Sequence, residues 1–340
     1  MKKILLFILS LNFFNSTAQE TELILNKIDQ NKFNIDGVVS NEEINKAKIL
    51  DIIYEAEPGL NSMPSQETKG YITYSDKFLY VGIKGKRERV IAPLTTRDNS
   101  VLFRGDFAGI TIDSYGDARN NMILISNPSG SQTDGIRLPG TSFGGGPNIN
   151  LNANFDFQSS GRITDEGYEI EFLIPFSELP FPNGKNQSWK FELFTGYIDD
   201  ENEGVEVRAG SSMSSREASC QLCLLDHIIV MDDIVIDKKL DFLPYVSSNI
   251  SGSRDKYYDR INYETPELNY GIGVNLELNK NLSLEATINP DFSQVESDAT
   301  KIDINSPTAI NYPEKRPFFN RGIDAMDYQL DVFYSRSINN

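Results

Sequence analysis

Apolar and polar residues alternate with a period of two along most of this chain, and the 3.6-residue period of a helix is rare. Tyr168, Ile170, Phe172 and Ile174 face away from Glu169 and Glu171, and Trp189, Phe191 and Leu193 repeat the pattern. Ile149, Leu151, Ala153, Phe155 and Phe157 alternate with Asn150, Asn152, Asn154 and Asp156, which predicts one continuous strand. Residues 70–83 predict two strands joined by the turn Ser75-Asp76-Lys77. Short apolar runs at 107–113, 122–127 and 228–236 add further strands. One helix is expected over 41–53, with Ser40 as its N-cap and Glu43 in the capping-box position. Many short strands punctuated by glycine and proline define an all-β fold, an antiparallel β-sandwich. A parallel α/β fold needs helices between its strands, and this pattern supplies none.

The start of the chain is of another kind. Lys2 and Lys3 precede an apolar run over 4–14, and Ser16-Thr17-Ala18 provides small residues for cleavage. That three-part pattern is an export signal, expected over residues 1–18. Its apolar run is too short for a membrane helix, which takes about 20 residues. Export places Cys220 and Cys223, the only two cysteines, in an oxidising compartment, where a local disulfide is expected. Against 49 acidic residues stand 32 basic ones, a net charge of −17, which argues against a nucleic-acid partner. His227 is the sole histidine, and no nucleophile is marked out to serve with it in catalysis.

Several ordered segments are similar to a known family. Phe33-Asn34-Ile35-Asp36-Gly37 with Glu42-Glu43 resembles the opening of family 9 carbohydrate-binding modules. The resemblance continues through Tyr74 to Gly82, Arg97-Asp98, Asp106 to Asp113, Asn127-Pro128-Ser129-Gly130 with Asp134, and Gly161 to Phe176. It implies a sandwich over residues 19–238 that recognises glycan. The family opening carries a tryptophan near position 44, where this chain has Ile44, and sugar-binding members often stack the ligand on tryptophans, of which this chain has only Trp189.

Beyond residue 239 the alternation lengthens. Leu268, Tyr270, Ile272, Val274, Leu276 and Leu278 form one face of a first arm, and Leu282, Leu284, Ala286 and Ile288 one face of a second, with a turn at 279–281. Each arm is long enough to cross a hydrocarbon core as a tilted β-strand, about 9–11 residues. An amphipathic hairpin in a soluble sheet gives the same pattern. Leu243-Pro244-Tyr245-Val246, Asn289 to Asp298, Tyr312 to Phe319 and Phe333 to Arg336 resemble an uncharacterised bacterial family that joins such a sandwich to an outer-membrane β-barrel. The expectation is the truncated N-terminal part of a barrel over 239–340, its strands too few to close.

Candidate sites follow from residue type. Tyr74, Tyr80, Tyr115 and Trp189 are aromatic faces for stacking on a sugar, with Tyr74 expected exposed beside its turn; the alternation of Trp189 with Phe191 and Leu193 favours a core position for it. Arg97 joins Tyr74 and Trp189 as a ligand contact. Asp98, Asp106 and Asp134, with Asp113 and Asp156, lie at strand ends or loops and offer oxygens to a hard cation such as calcium; turn chemistry explains them as well. The expected function is an exported, periplasmic or outer-membrane glycan-binding protein linked to carbohydrate catabolism. The alternatives are a hydrolase of O-glycosyl bonds and a transport or structural barrel with the sandwich as plug or scaffold.

Overall fold

A computed structural model describes residues 20–119, 121–141, 147–151, 153–199, 204–235, 240–250, 252–253, 260–279, 282–289, 310–311 and 337–338. The export signal expected over residues 1–18, residues 290–298 and the segments 312–319 and 333–336 lie outside the described residues. Among those described, no helix is long and apolar enough to cross a membrane, which says nothing of strands.

In chain order the first strands are β1 (Thr21–Ile24), β2 (Lys48–Asp51), β3 (Tyr54–Glu57), β4 (Thr68–Tyr74), β5 (Phe78–Lys86), β6 (Phe107–Asp113) and β7 (Asn121–Ser126). They are followed by β8 (Gln132–Thr141), β9 (Pro147–Asn150), β10 (Gln158–Thr164), β11 (Gly167–Pro175), β12 (Gln187–Asp199), β13 (Val205–Gly210) and β14 (His227–Met231). One sheet runs β1-β14-β12-β6-β7-β8-β9, with β13 and β3 continuing from the second half of β12. The other runs β10-β11-β5-β4-β2. All pairings are antiparallel except that of β1 with β14.

The core lies between the two sheets, as a sandwich requires. Ile170, Phe172 and Ile174 of β11 and Leu79, Val81 and Ile83 of β5 meet Ile110 and Ile112 of β6 and Trp189, Phe191 and Leu193 of β12. Trp189 is the centre of an aromatic group, with Phe181 at 5.1 Å and Phe176 edge-on at 5.8 Å. At one end of the core Arg87 is buried with Asp106 (Nε to Oδ1 2.9 Å) and lies 4.1 Å over the ring of Tyr197.

Two expected elements differ. The helix over 41–53 is only α1 (Asn41–Ile44). Its capping box forms as expected, Ser40 accepting from the Glu43 N–H and Glu43 accepting from that of Ser40. The chain then leaves the helix because Lys48–Asp51 alternate in register with β4 and bury Leu50. The single strand over 149–157 is likewise shorter. It pairs only through Asn150, after which Phe155 and Phe157 drop into the core while Leu151 stays partly exposed.

On the outer face of the five-stranded sheet, the segment before α1 is pinned by acids that point outward from β11. Glu171 accepts from the backbone N–H groups of Gly37 (2.7 Å) and Asp36 (3.2 Å), and from the Tyr80 hydroxyl (2.7 Å). Phe33 stacks on Tyr80 at 4.8 Å. Gly37 sits at φ +88°, and a Cβ there would meet the Gly161 backbone at 3.0 Å, so this crossing depends on glycine.

A separate sheet is made by β15 (Leu240–Asn249), β18 (Glu267–Asn279) and β19 (Leu282–Ile288), with a small ribbon of β16 (Gly252–Ser253) and β17 (Asn262–Tyr263). The register places Leu240, Phe242 and Val246 beside Leu276, Val274 and Tyr270, and Leu284 and Ile288 beside Leu276 and Ile272. One face is therefore largely apolar, with Ser248 beside Leu268 its polar exception, and Leu240, Phe242, Val246, Leu268, Tyr270, Leu284 and Ile288 are 51–72% exposed. The opposite face carries Asp241, Asn275 and Glu285. Among the described residues these strands form an open sheet and close no barrel.

Candidate functional site

The structure assigns the sequence-predicted contacts mostly to the core. Tyr74 is only 4% exposed, because the strand period turns it inward with Ile72 and the 232–233 segment closes over it. Its hydroxyl donates to the Asp232 carbonyl at 3.1 Å. Trp189 is fully buried, with its indole N–H held by Gln187 at 3.0 Å. Tyr80 is buried under Phe33, and of the four aromatic candidates Tyr115, at 48%, is the exposed one. These positions correct the expectation that Tyr74 and Trp189 offer faces to a sugar.

Arg97, Asp98 and Asp134 do come together, but as a fastening of loop to strand. Arg97 donates to Asp134 Oδ1 (2.8 and 2.5 Å) and to the Phe155 carbonyl (2.6 Å), while Asp98 accepts from the Asp134 N–H (3.2 Å). Asp106 is elsewhere, with Arg87 and the Ile91 N–H (2.7 Å). Burial raises the Asp106 and Asp134 carboxyls above the usual range despite their arginines. Asp113 caps its own turn by accepting from the N–H groups of Gly116 and Ala118. Among the described residues no three carboxylate, histidine or cysteine side chains converge as a metal site, so the calcium set over Asp98, Asp106 and Asp134 is not assembled there. Cys220 and Cys223 are joined as a disulfide.

A recess lies on the outer face of the large sheet. It is a groove of about 410 Å³, floored by β12, β6, β7 and β8 and walled by residues 212–225. The floor forms because several apolar side chains break the polar pattern of the outward face. Phe107, Ile123 and Ile125 form a second hydrophobic cluster with Leu102, and Phe103, Ile149 and Phe194 pack against it. Phe194 is opposite Gly109, and a Cβ on Gly109 would stand 2.7 Å from its ring, so the missing side chain makes room for the phenyl group. Phe103 meets Phe107 edge to face at 5.3 Å.

The wall is fastened to the β3 turn. Asn61 and Ser214 exchange two hydrogen bonds, of 2.9 and 2.8 Å, and Arg216 donates to the carbonyls of Pro58 and Gly59. The Cys220–Cys223 disulfide lies in this wall. Polar groups stand above the aromatic floor. Glu192 faces Arg137 at 3.6 Å, and Arg208 reaches Glu57 at 3.9 Å. Burial raises the Glu192 carboxyl; Arg137 and the Ser212 backbone N–H lower it, and Asp226 raises it further.

At the groove edge Ser212, Asp226 and His227 cluster without forming a catalytic relay. The Ser212 hydroxyl donates to Asp226 Oδ1 (2.7 Å), and His227 Nδ1 lies 2.8 Å from that same oxygen and 3.3 Å from the hydroxyl. A serine relay needs the hydroxyl and the acid on different ring nitrogens.

Comparison with known proteins gives two findings. Residues 237–340 match a family described as a domain of unknown function (DUF5916). Among solved structures the chain is similar to a family 9 carbohydrate-binding module from Caldicellulosiruptor kristjanssonii in complex with cellotriose. That match has 15% identity, covers 62% of this chain and 92% of that one, and has a TM-score of 0.44. The same module in complex with glucose matches at 16% identity, over 62% and 94%, with a TM-score of 0.44. No curated protein matches the chain.

Proposed function

We propose that the sandwich is a glycan-recognition module that holds an oligosaccharide in its outer-face groove and does not cleave it. The groove itself carries this reading: an aromatic floor of Phe103, Phe107 and Phe194 lies under a rim of Glu192, Arg137 and Arg208. Sugars present apolar C–H faces and polar hydroxyl edges, and such a site meets both. The Ser212–Asp226–His227 geometry favours binding over acyl-type chemistry. Glu192 and Glu57 both line the groove, so hydrolysis is tested directly, by assaying turnover of every glycan retained on an array. Retention without new reducing ends supports a binding module; cleavage replaces it with a glycosidase.

A second reading concerns residues 240–288. The apolar face of β15, β18 and β19 fits lipid, and with the export signal it supports a protein attached to the outer membrane through β-strands, the sandwich facing the periplasm. Flotation of the full chain with phospholipid vesicles tests it. Flotation abolished by Phe242→Asp with Tyr270→Asp supports a lipid face, and a wild-type chain left at the bottom of the gradient contradicts it.

A further inference from the structure

Glu192 and Arg137 are rooted on strands that are not neighbours. The order β12-β6-β7-β8 sets them three strand spacings apart, about 14 Å at 4.8 Å per spacing. Contact at 3.6 Å means that both side chains lie down across the floor, over β6 and β7. Beneath that stretch, below the side chains that line the groove, lie Thr111, cross-strand from Glu192, and Asn121, cross-strand from Arg137. Both are fully buried, and the Thr111 hydroxyl and both polar atoms of the Asn121 amide have no hydrogen-bond partner. Buried polar atoms without partners destabilise the fold, and in a native structure they point to a ligand or water that completes them.

Arg137 is also under-used. Its ion pair exceeds hydrogen-bond length, and it makes no hydrogen bond to any described residue. The other groove arginines are engaged, Arg208 with Glu206 and Arg216 with two backbone carbonyls. In a chain of net charge −17, a half-buried guanidinium with spare donors runs against the surrounding charge. Guanidinium matches carboxylate by two parallel hydrogen bonds.

From this we infer that the groove selects acidic sugars: a uronic-acid residue places its carboxylate on Arg137, taking it from Glu192, while its hydroxyls complete Asn121 and Thr111. The inference rests on the glycan-binding reading above and names the ligand class for the same groove. Glu192 then acts as a competitor for Arg137, held in reserve by the Ser212 N–H.

The test is calorimetric titration of the full chain with trigalacturonate, with its fully methyl-esterified form, and with cellotriose. The acid form should bind at least about tenfold more tightly than its ester. Arg137→Gln should remove that preference, Arg137→Lys should keep part of it, and Glu192→Gln should strengthen acid binding. Thermal unfolding shows which variants are folded, and the ester comparison on wild type needs no variant. Equal affinity for acid and ester, or for cellotriose, overturns the acidic-sugar inference and leaves the glycan reading standing. Binding of none of the three overturns the inference; the glycan array then decides the broader reading independently.

Discussion

At the scale of single residues, the distinction that matters is between aromatics that build the core and aromatics that floor the groove. Trp189 belongs to the first kind. Trp189→Ala should cost about 3–5 kcal/mol in chemical denaturation, the range for deleting a large buried aromatic. Its alternation with Phe191 and Leu193 was legible in the sequence as an inward stripe. The sequence around Tyr74 suggests exposure, because a turn adjoins it, and only the fold shows the 232–233 segment covering it. The groove residues left a fainter trace. Phe194 directly follows inward-facing Leu193, so it must point outward, and an outward phenylalanine opposite a glycine is the available signal. Arg137 and Glu192 had none, since their contact spans four strands. Burial raises the Glu171 carboxyl to about 7, helped by Glu43 and Asp36 and opposed by the Tyr80 and Gly37 hydrogen bonds. A raised carboxyl stabilises the fold fully below its unfolded value of 4.5, and that contribution is lost as pH rises through about 7. Stability should therefore fall between about pH 5 and 7.5, and Glu171→Gln should flatten that slope. An unchanged slope would place the titrating group elsewhere.

At the scale of elements, pairing decides where local signals stop. The capping box at Ser40 is real, yet it starts a single turn, because Lys48–Asp51 gain more by joining β4 than by extending a helix. Strands with strict alternation and partners on both sides, such as β5 and β11, were legible nearly to their ends. The wall of the groove was not, because residues 212–225 are held by side-chain bonds to a distant turn and not by a period. Asn61→Ala removes the paired bonds to Ser214. It should lower the melting temperature by only a few degrees, consistent with about 1–2 kcal/mol, while weakening groove binding by a larger proportion. Melting curves and titrations on the same variant check this. A large loss of stability with binding unchanged would detach the wall from the site.

At the scale of the molecule, two surfaces carry the functional reading: the groove of the sandwich and the apolar face that the C-terminal sheet exposes among the described residues. An open amphipathic sheet in water exposes both its apolar face and its strand edges, which invites association. In detergent-free buffer the full chain should be trimmed by protease back towards residue 240, with the sandwich persisting, and detergent or lipid should protect the longer form. Mass spectrometry of the digest reads this out, and a protease-resistant monomer in plain buffer would contradict the lipid-facing role. The all-β class and the sandwich were legible because alternation reports burial directly. The lipid or aqueous fate of 240–288 was not, because the same alternation serves both. Glycan recognition by the sandwich requires that the outer-face groove hold sugar. Affinity electrophoresis of the full chain through gels containing soluble polysaccharides tests it, comparing the wild type with Phe194→Ala. Retardation of the wild type that is abolished in Phe194→Ala, with its melting temperature kept within a few degrees, is the expected result; equal retardation of both proteins would contradict it.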